Sequence, residues 1–149
     1  MQKVMRVILA IQLLITLPVV AAGPEITVFK SRTCSCCANW VAHLRANGFT
    51  VKVNEVDSTA PYQKQHGVPS AMASCHTAVV NGYTIEGHVP AREIQRLLKE
   101  RPKGKGLAVP GMPIGSPGME NGTRRQAYSV MLFDTTGRAS VYQAYPASR

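Results

Sequence analysis

A chain of 149 residues, with 45% hydrophobic and 17% charged residues, has room for one globular domain and is not a disordered sequence. Its four cysteines are too few to hold a disulfide-built miniprotein together, so the fold must depend on a hydrophobic core. The formal net charge is +9, and it falls to +7 when the two basic residues Lys3 and Arg6 are removed with the first segment.

The first 22 residues have the pattern of a signal peptide. Lys3 and Arg6 give a positive start, residues 7–20 are almost entirely apolar, and small residues precede Gly23. A retained membrane anchor is the alternative, but an anchor needs about 20 apolar residues and this run is shorter and interrupted. The sequence therefore predicts export to the periplasm and a mature chain, 23–149, that does not span the membrane. Thiols tend to oxidise there unless a metal or a reductant holds them.

The next segments predict the first half of an α/β domain. Residues 26–30 are a β-branched run typical of a buried strand. A helix is predicted to begin near Cys34 with Thr33 as its N-cap, and Asn47-Gly48 ends it. Residues 49–56 then alternate as a second strand.

A hairpin and a second helix follow. Residues 77–80 and 83–86 flank Asn81-Gly82, the strongest short signal for a two-residue turn. Pro90 is placed to open a helix that Pro102 ends. The order of strand, helix, strand, hairpin and helix, with a Cys-x-x-Cys at the first helix, predicts an α/β, three-layer, thioredoxin-like fold over residues 25–103.

The thioredoxin-like order also predicts where the fourth cysteine lies. In that fold the segment before the hairpin rests against the Cys-x-x-Cys and usually carries a cis-proline. Here that segment has Cys75 and His76 and no proline. We therefore expect Cys75 to join Cys34, Cys36 and Cys37.

Residues 104–149 are predicted to extend this core within the same domain. Residues 107–120 are rich in glycine and proline, which predicts a long loop with a functional role. Residues 129–134 and 138–145 form a second predicted hairpin, which we expect to extend the sheet or cover an edge.

The cysteine spacing favours a soft metal. A helix N-terminus stabilises thiolates, so Cys34, Cys36 and Cys37 are expected to be acidic. Cys34 and Cys37, one turn apart, could also form a redox disulfide. Three thiols within four residues are more than a dithiol switch needs, whereas several converging thiolates are what a soft metal ion prefers.

Copper, as Cu(I) and as more than one ion, is favoured over zinc. Four thiolates would also suit zinc. Met112 and Met119 in the predicted loop add thioethers, however, which suit Cu(I) and are poor zinc ligands. Adjacent cysteines at a helix tip also suit bridging thiolates in a small cluster.

Other candidate residues are secondary. His76, His88, Met112 and Met119 could bind metal or control access to it, while core packing explains the methionines equally well. His43 is expected to be a solvated surface histidine. The basic residues after position 90 are most simply a solvated helix face and tail, so nucleic-acid binding is not expected. They are Arg92, Arg96, Lys99, Arg101, Lys103 and Lys105.

Four segments together resemble the CopG-type family of periplasmic copper-resistance proteins. They are TCSCC at 33–37, ASCHTAVV at 73–80, YTIEGHVP at 83–90 and GLAVPGMP at 106–113. The resemblance implies a thioredoxin-like fold, several Cu(I) ions bound by Cys34, Cys36, Cys37 and Cys75, and interconversion of Cu(I) and Cu(II) in copper detoxification. It covers nearly the whole predicted mature chain.

The functional hypothesis is a periplasmic copper-binding protein that holds Cu(I) and could act as a copper oxidoreductase, with copper efflux or carrier proteins as partners. The alternatives are a thiol–disulfide oxidoreductase and a passive copper carrier. The missing proline counts against the thiol–disulfide oxidoreductase, because that residue normally shapes the substrate groove.

Overall fold

Seven strands and three α-helices make up residues 23–148, the part of the chain that this computed structural model describes. The predicted signal peptide, 1–22, lies outside these residues. No helix among them is long and apolar enough to cross a membrane. In chain order the elements are β1 (Glu25–Ser31), α1 (Ser35–Ala46), β2 (Thr50–Val56), α2 (Ala60–Gln65), a 3-10 turn (Ser70–Met72), β3 (His76–Val80), β4 (Tyr83–Glu86), α3 (Ala91–Glu100), β5 (Gly106–Ala108), β6 (Tyr128–Phe133) and β7 (Ala139–Tyr145).

One sheet contains all seven strands, in the order β2-β1-β3-β4-β5-β6-β7. β1 and β2 are parallel, and β3 lies antiparallel to β1. The predicted α/β order is therefore confirmed. The second hairpin, β6–β7, was expected either to extend the sheet or to cover an edge. It extends the sheet, at the edge opposite β2.

The predicted loop at 107–120 begins later than expected. Leu107 lies in β5, where it pairs with Ile85 of β4 on one side and Leu132 of β6 on the other. The side chain of Leu107 is fully buried, and its backbone groups need partners there. This three-residue strand connects β4 to the C-terminal hairpin, β6–β7.

The turn between β3 and β4 has the backbone that its sequence predicts. Asn81 and Gly82 both have positive φ, 46° and 83°. These values match the two-residue turn whose twist agrees with that of the flanking strands. The turn sets the register of β3 against β4, and it thereby places Thr77 opposite Glu86.

The hydrophobic core lies between the sheet and the helices α1 and α3. Trp40 and Leu44 of α1 and Ile94 and Leu97 of α3 are fully buried. They belong to the same cluster of buried residues as Ile26 and Val28 of β1. α2 was not predicted, because it is only six residues long and contains no buried residue. Its Tyr62 stacks on Phe29 of β1, with ring centroids 4.3 Å apart.

His43 joins the two core helices and is not a solvated surface histidine. It is half-buried, and its Nε2 accepts the backbone N–H of Ala91 at 3.0 Å. Ala91 is the first residue of α3, whose N–H has no partner within the helix. Burial lowers the pKa of His43, and the negative charge of Glu120 partly opposes this.

We expect His43 to make stability depend on pH. Because its pKa is below 6.5 in the folded protein, the unfolded chain takes up the proton first as the pH falls. The contribution of His43 to the free energy of unfolding is therefore fully present above about pH 6.5 and declines below it. His43→Gln keeps an acceptor for Ala91 but does not titrate, so its free energy of unfolding should fall less steeply between about pH 6.5 and pH 5. Urea unfolding of both proteins across this range measures the difference, and parallel curves would contradict the assignment.

Candidate metal centre

The N-terminus of α1 carries three of the four cysteines. Cys34 is the N-cap, and its Sγ accepts the backbone N–H of Cys37 at 3.2 Å. The prediction of Thr33 as the cap was wrong by one residue, since the Thr33 hydroxyl lies 3.3 Å from that of Ser31 instead. A cysteine sulfur therefore occupies the place where a serine or threonine oxygen usually caps a helix.

Cys34 and Cys37 form a disulfide, which is one of the two arrangements that the sequence left open. In this form they are not thiolates. Among the described residues, Cys36 and Cys75 are the free cysteines. The Cys36 sulfur lies 3.4 Å from that of Cys34, so a free thiol is in contact with the disulfide. The structure thus represents the oxidised state of the cysteine cluster.

Cys75 lies beside the other three cysteines, as the thioredoxin-like order predicted. The four sulfur atoms all lie within 4.8 Å of one another. Cys37 Sγ is 3.8 Å from the carbonyl oxygen of Cys75. All described peptide bonds are trans, so the segment before β3 reaches the cluster without a cis-proline. A long-range placement inferred from element order is therefore confirmed.

Burial controls the protonation of Cys75. Burial, and secondarily the neighbouring Cys36, raise the pKa of the Cys75 thiol to about 12. The thiol is therefore neutral when no cation is bound. A metal ion supplies the missing positive charge and displaces the proton when it binds a thiol. The site thus favours either a neutral thiol or a metal thiolate over a free thiolate at this position.

Two histidines extend the cluster on the side of Cys75. His76 Nδ1 lies 3.3 Å from Cys75 Sγ, and His88 Nε2 lies 3.1 Å from it. The three side chains form a second group whose ligand atoms lie within 4.8 Å of one another. Cys75 belongs to both groups, so its sulfur is the atom that links the four cysteines to the two imidazoles.

The ring of His88 is oriented by the Gly/Pro-rich segment. Its Nδ1 lies 2.8 Å from the carbonyl oxygen of Pro117. A carbonyl can only accept, so Nδ1 carries the hydrogen and the neutral ring presents the lone pair of Nε2 to Cys75. Burial lowers the pKa of His88, which favours this neutral form. Imidazoles that bind metals usually have this arrangement, with the second nitrogen donating to a carbonyl or carboxylate.

His76 is enclosed by aromatic rings. Its centroid lies 4.3 Å from that of Trp40 and 4.9 Å from that of His88. Burial, with a smaller effect of His88, lowers the pKa of His76 to about 3. Its Nε2 is buried and has no hydrogen-bond partner within residues 23–148. His76 is therefore a neutral imidazole and adds no positive charge of its own to the site.

The Gly/Pro-rich segment covers the cysteine helix at Gly118. A Cβ at this position would lie 2.7 Å from the carbonyl oxygen of Cys36 and 2.8 Å from the backbone nitrogen of Trp40. Met119 is half-buried next to Gly118, whereas Met112 is 52% exposed. The predicted functional loop is thus in contact with α1, and the two methionines differ in their exposure.

The donor set of this site is soft. Thiolates select Cu(I), zinc and iron–sulfur clusters, and imidazoles suit zinc and copper, whereas Mg²⁺ and Ca²⁺ prefer oxygen ligands. The residues present therefore fit copper or zinc. Two participants were missed by the sequence analysis, the Pro117 carbonyl and the carboxylate of Glu86. The carboxylate of Glu86 accepts the backbone N–H of Ser74, next to Cys75, at 2.7 Å, and its one signal in the sequence was a charged residue at the end of a predicted hairpin strand.

Comparison with known proteins gives consistent results. The family model described as "Protein of unknown function, DUF411" matches residues 72–119. Two solved structures, titled "Copper resistance protein copG- Form 2" and "Copper resistance protein copG- Form 1", are each 46% identical to this chain. Each covers 83% of it, and the matches include 99% and 98% of their own chains, with TM-scores of 0.80 and 0.79. No curated protein matches the chain.

Proposed function

The chain belongs to the CopG family of copper resistance proteins, and on that premise we propose that it binds several Cu(I) ions through Cys34, Cys36, Cys37 and Cys75. The observation that carries the proposal is the convergence of four sulfur atoms within 4.8 Å. Bridging thiolates can hold several Cu(I) ions in so small a volume, and Cys75 is well placed to bridge because it faces both groups of ligands.

The Cys34–Cys37 pair supports a redox role with copper as the substrate. When copper is reduced, two Cu(II) ions each gain one electron, and the thiols of Cys34 and Cys37 form one S–S bond and release two protons to solvent. When copper is oxidised, two Cu(I) ions each give one electron to the disulfide, which takes up two protons and becomes two thiols. Imidazole ligands from His76 and His88 would help to accept the Cu(II) form, since nitrogen is a harder ligand than thiolate.

The remaining residues have proposed roles in access and delivery. Met119 lies within the segment that covers α1, and exposed Met112 is suited to a first contact with incoming Cu(I). We place the protein in the periplasm after removal of residues 1–22, where copper efflux or carrier proteins would be its partners. A periplasmic location agrees with the disulfide, which persists in oxidising compartments.

Copper loading tests the proposal directly. The protein is purified without oxygen, its disulfide is reduced, and Cu(I) is added while bound copper and free thiols are counted. We expect more than one copper per chain and protection of all four thiols from alkylation. The matched control is the same protein loaded with zinc, which four thiolates would bind as a single tetrahedral ion.

Two results would contradict this proposal. One is a single metal ion per chain with a preference for zinc over Cu(I). The other is copper binding that leaves two or more of the thiols free to react. To separate an enzyme from a passive carrier, the loaded protein is mixed with excess Cu(II) and a thiol reductant, and formation of Cu(I) over multiple turnovers, faster than with the same reductant alone, indicates catalysis.

A thiol–disulfide oxidoreductase is the second candidate, because the disulfide lies at a helix N-terminus with Cys34 partly exposed. Such an enzyme would reduce the disulfides of a protein substrate such as insulin. The segment before β3 has Cys75 in place of the proline that normally shapes a peptide groove. We therefore expect insulin reduction no faster than that by free dithiol.

A further inference from the structure

We propose that the carboxylate of Glu86 is the positioning residue that holds Cys75 in the cysteine cluster. It takes the place of the proline that the segment before β3 lacks. This inference rests on the proposed function for its effect on copper, but its geometric part can be tested without copper.

Glu86 is fully buried at the end of β4 and accepts three hydrogen bonds. Its Oε1 accepts the backbone N–H of Ser74 and the side-chain amide of Gln63, both at 2.7 Å. Its Oε2 accepts the hydroxyl of Thr77 at 2.7 Å. Ser74 and Thr77 lie on either side of Cys75 and His76, so one carboxylate binds both ends of the segment that carries the site.

Gln63 completes the contact with Ser74. Its side-chain nitrogen also donates to the carbonyl oxygen of Ser74 at 3.0 Å. The N–H and the C=O of the residue directly before Cys75 are therefore both held by side chains, and the Ser74 hydroxyl donates to the carbonyl of Gly111. A loop backbone fixed in this way has little freedom to move the following sulfur atom.

The position of Gly87 shows how closely these elements approach. A Cβ at Gly87, whose φ is +70°, would lie 2.6 Å from the Ser74 hydroxyl oxygen and 2.6 Å from the Val109 carbonyl oxygen. The backbone after Glu86 therefore lies directly against the Cys75 segment. The Glu86 carboxylate therefore reaches the backbone of Ser74 directly, with no other residue between them.

The described ion pairs do not include Glu86, so its charge is balanced by hydrogen-bond donors and not by a basic side chain. A buried carboxylate held in this way is costly, and stability alone would be served as well by an apolar residue of similar volume. What the Glu86 carboxylate contributes, and an apolar residue would not, is a fixed backbone position for Ser74 and therefore for Cys75.

Thiol alkylation of the metal-free protein tests the positioning role. With the Cys34–Cys37 disulfide intact, Cys36 and Cys75 are the free thiols, and Cys36 serves as an internal reference on α1. Iodoacetamide labelling followed by peptide mass analysis gives the ratio of the Cys75 rate to the Cys36 rate. We expect Glu86→Ala to raise this ratio by about 10-fold or more, because local opening exposes a half-buried thiol.

Two variants separate positioning from general stability. Glu86→Gln can accept from Ser74 and Gln63 through its amide oxygen and donate to Thr77, so the ratio should stay within about twofold of the wild type. Thr77→Val also removes a hydrogen bond to the Glu86 carboxylate, but it leaves the hydrogen bond from the Ser74 N–H to that carboxylate in place. It should lower stability without changing the ratio. A folded Glu86→Ala protein with an unchanged ratio, or a Thr77→Val protein with a rise as large, would overturn the inference.

If Glu86→Ala does not fold, Gln63→Ala replaces it, since that substitution releases only the Ser74 carbonyl and one donor of the carboxylate. The ratio should then rise by about threefold or more, in line with a smaller cost of local opening. An unchanged ratio in this folded variant would likewise overturn the inference.

Copper binding gives the second readout. Glu86→Ala should weaken Cu(I) affinity of the reduced protein by about 10–100-fold, as loss of other outer contacts of metal sites does. In a Cys75→Ser background it should have no further effect, because the carboxylate acts through Cys75. An equal loss in both backgrounds would refute positioning through Cys75. If the wild-type protein binds no Cu(I), the proposed function fails, while the alkylation result still decides the role of Glu86.

Discussion

Replacing Cys75 by serine is expected to lower the Cu(I) affinity of the reduced protein by more than about 100-fold and to reduce the number of coppers bound. Loss of an outer contact at a metal site typically weakens binding by about 10–100-fold, and a lost ligand weakens it more. Serine is also a hard oxygen donor that stays protonated where a thiol becomes a thiolate. Cys75 has the largest expected effect because its sulfur faces both the other cysteines and the two histidines.

Competition with a coloured Cu(I) chelator under anaerobic conditions measures this affinity. Met72→Leu is the matched control, since it removes a half-buried sulfur from the same loop without removing a thiolate. Its affinity should equal that of the wild type. A Cys75→Ser protein that retains both affinity and copper number would show that the three cysteines of α1 bind the metal alone.

Gly118→Ala is expected to destabilise the protein and, at the same time, to weaken the binding of Cu(I). Gly118 has a φ of +86°, where a residue with a Cβ is strained by about 1–3 kcal/mol. Its Cβ would also meet backbone atoms of Cys36 and Trp40, which cannot move without shifting α1. The covering segment should therefore separate from α1 and carry the Pro117 carbonyl away from His88.

Gly137→Ala is the control for this experiment. Gly137 has nearly the same φ, +84°, but no atom of the part of the chain that the structure describes lies within 4 Å of its added Cβ. Both variants should lose stability in urea unfolding, and Gly118→Ala should lose clearly more. Only Gly118→Ala should also weaken Cu(I) binding, by about 10–100-fold. Equal behaviour of the two variants would mean that the segment does not support the site.

Local chemistry made much of the architecture predictable. Asn81-Gly82 determines its own turn, because few other residues accept positive φ at both positions. The Cys-x-Cys-Cys run and the C-terminal end of α1 are also local, since capping depends on residues within one turn, whereas the predicted N-cap was wrong by one residue. α2 and β5 were missed because neither has a pattern of its own. α2 is short and contains no fully buried residue, and β5 becomes a strand because β4 and β6 supply its partners.

Sequence patterns were enough to predict three cysteines on one helix tip, the order of the main elements and, from that order, the approach of Cys75. Only the folded chain shows that Cys34 and Cys37 are paired, that His88 points its Nε2 at Cys75, and that Glu86 binds Ser74. These contacts join residues far apart in the chain or depend on side-chain orientation, which helix and strand periodicity do not specify. Packing around the four sulfur atoms selects them, because most buried polar groups in a folded protein have a hydrogen-bond partner.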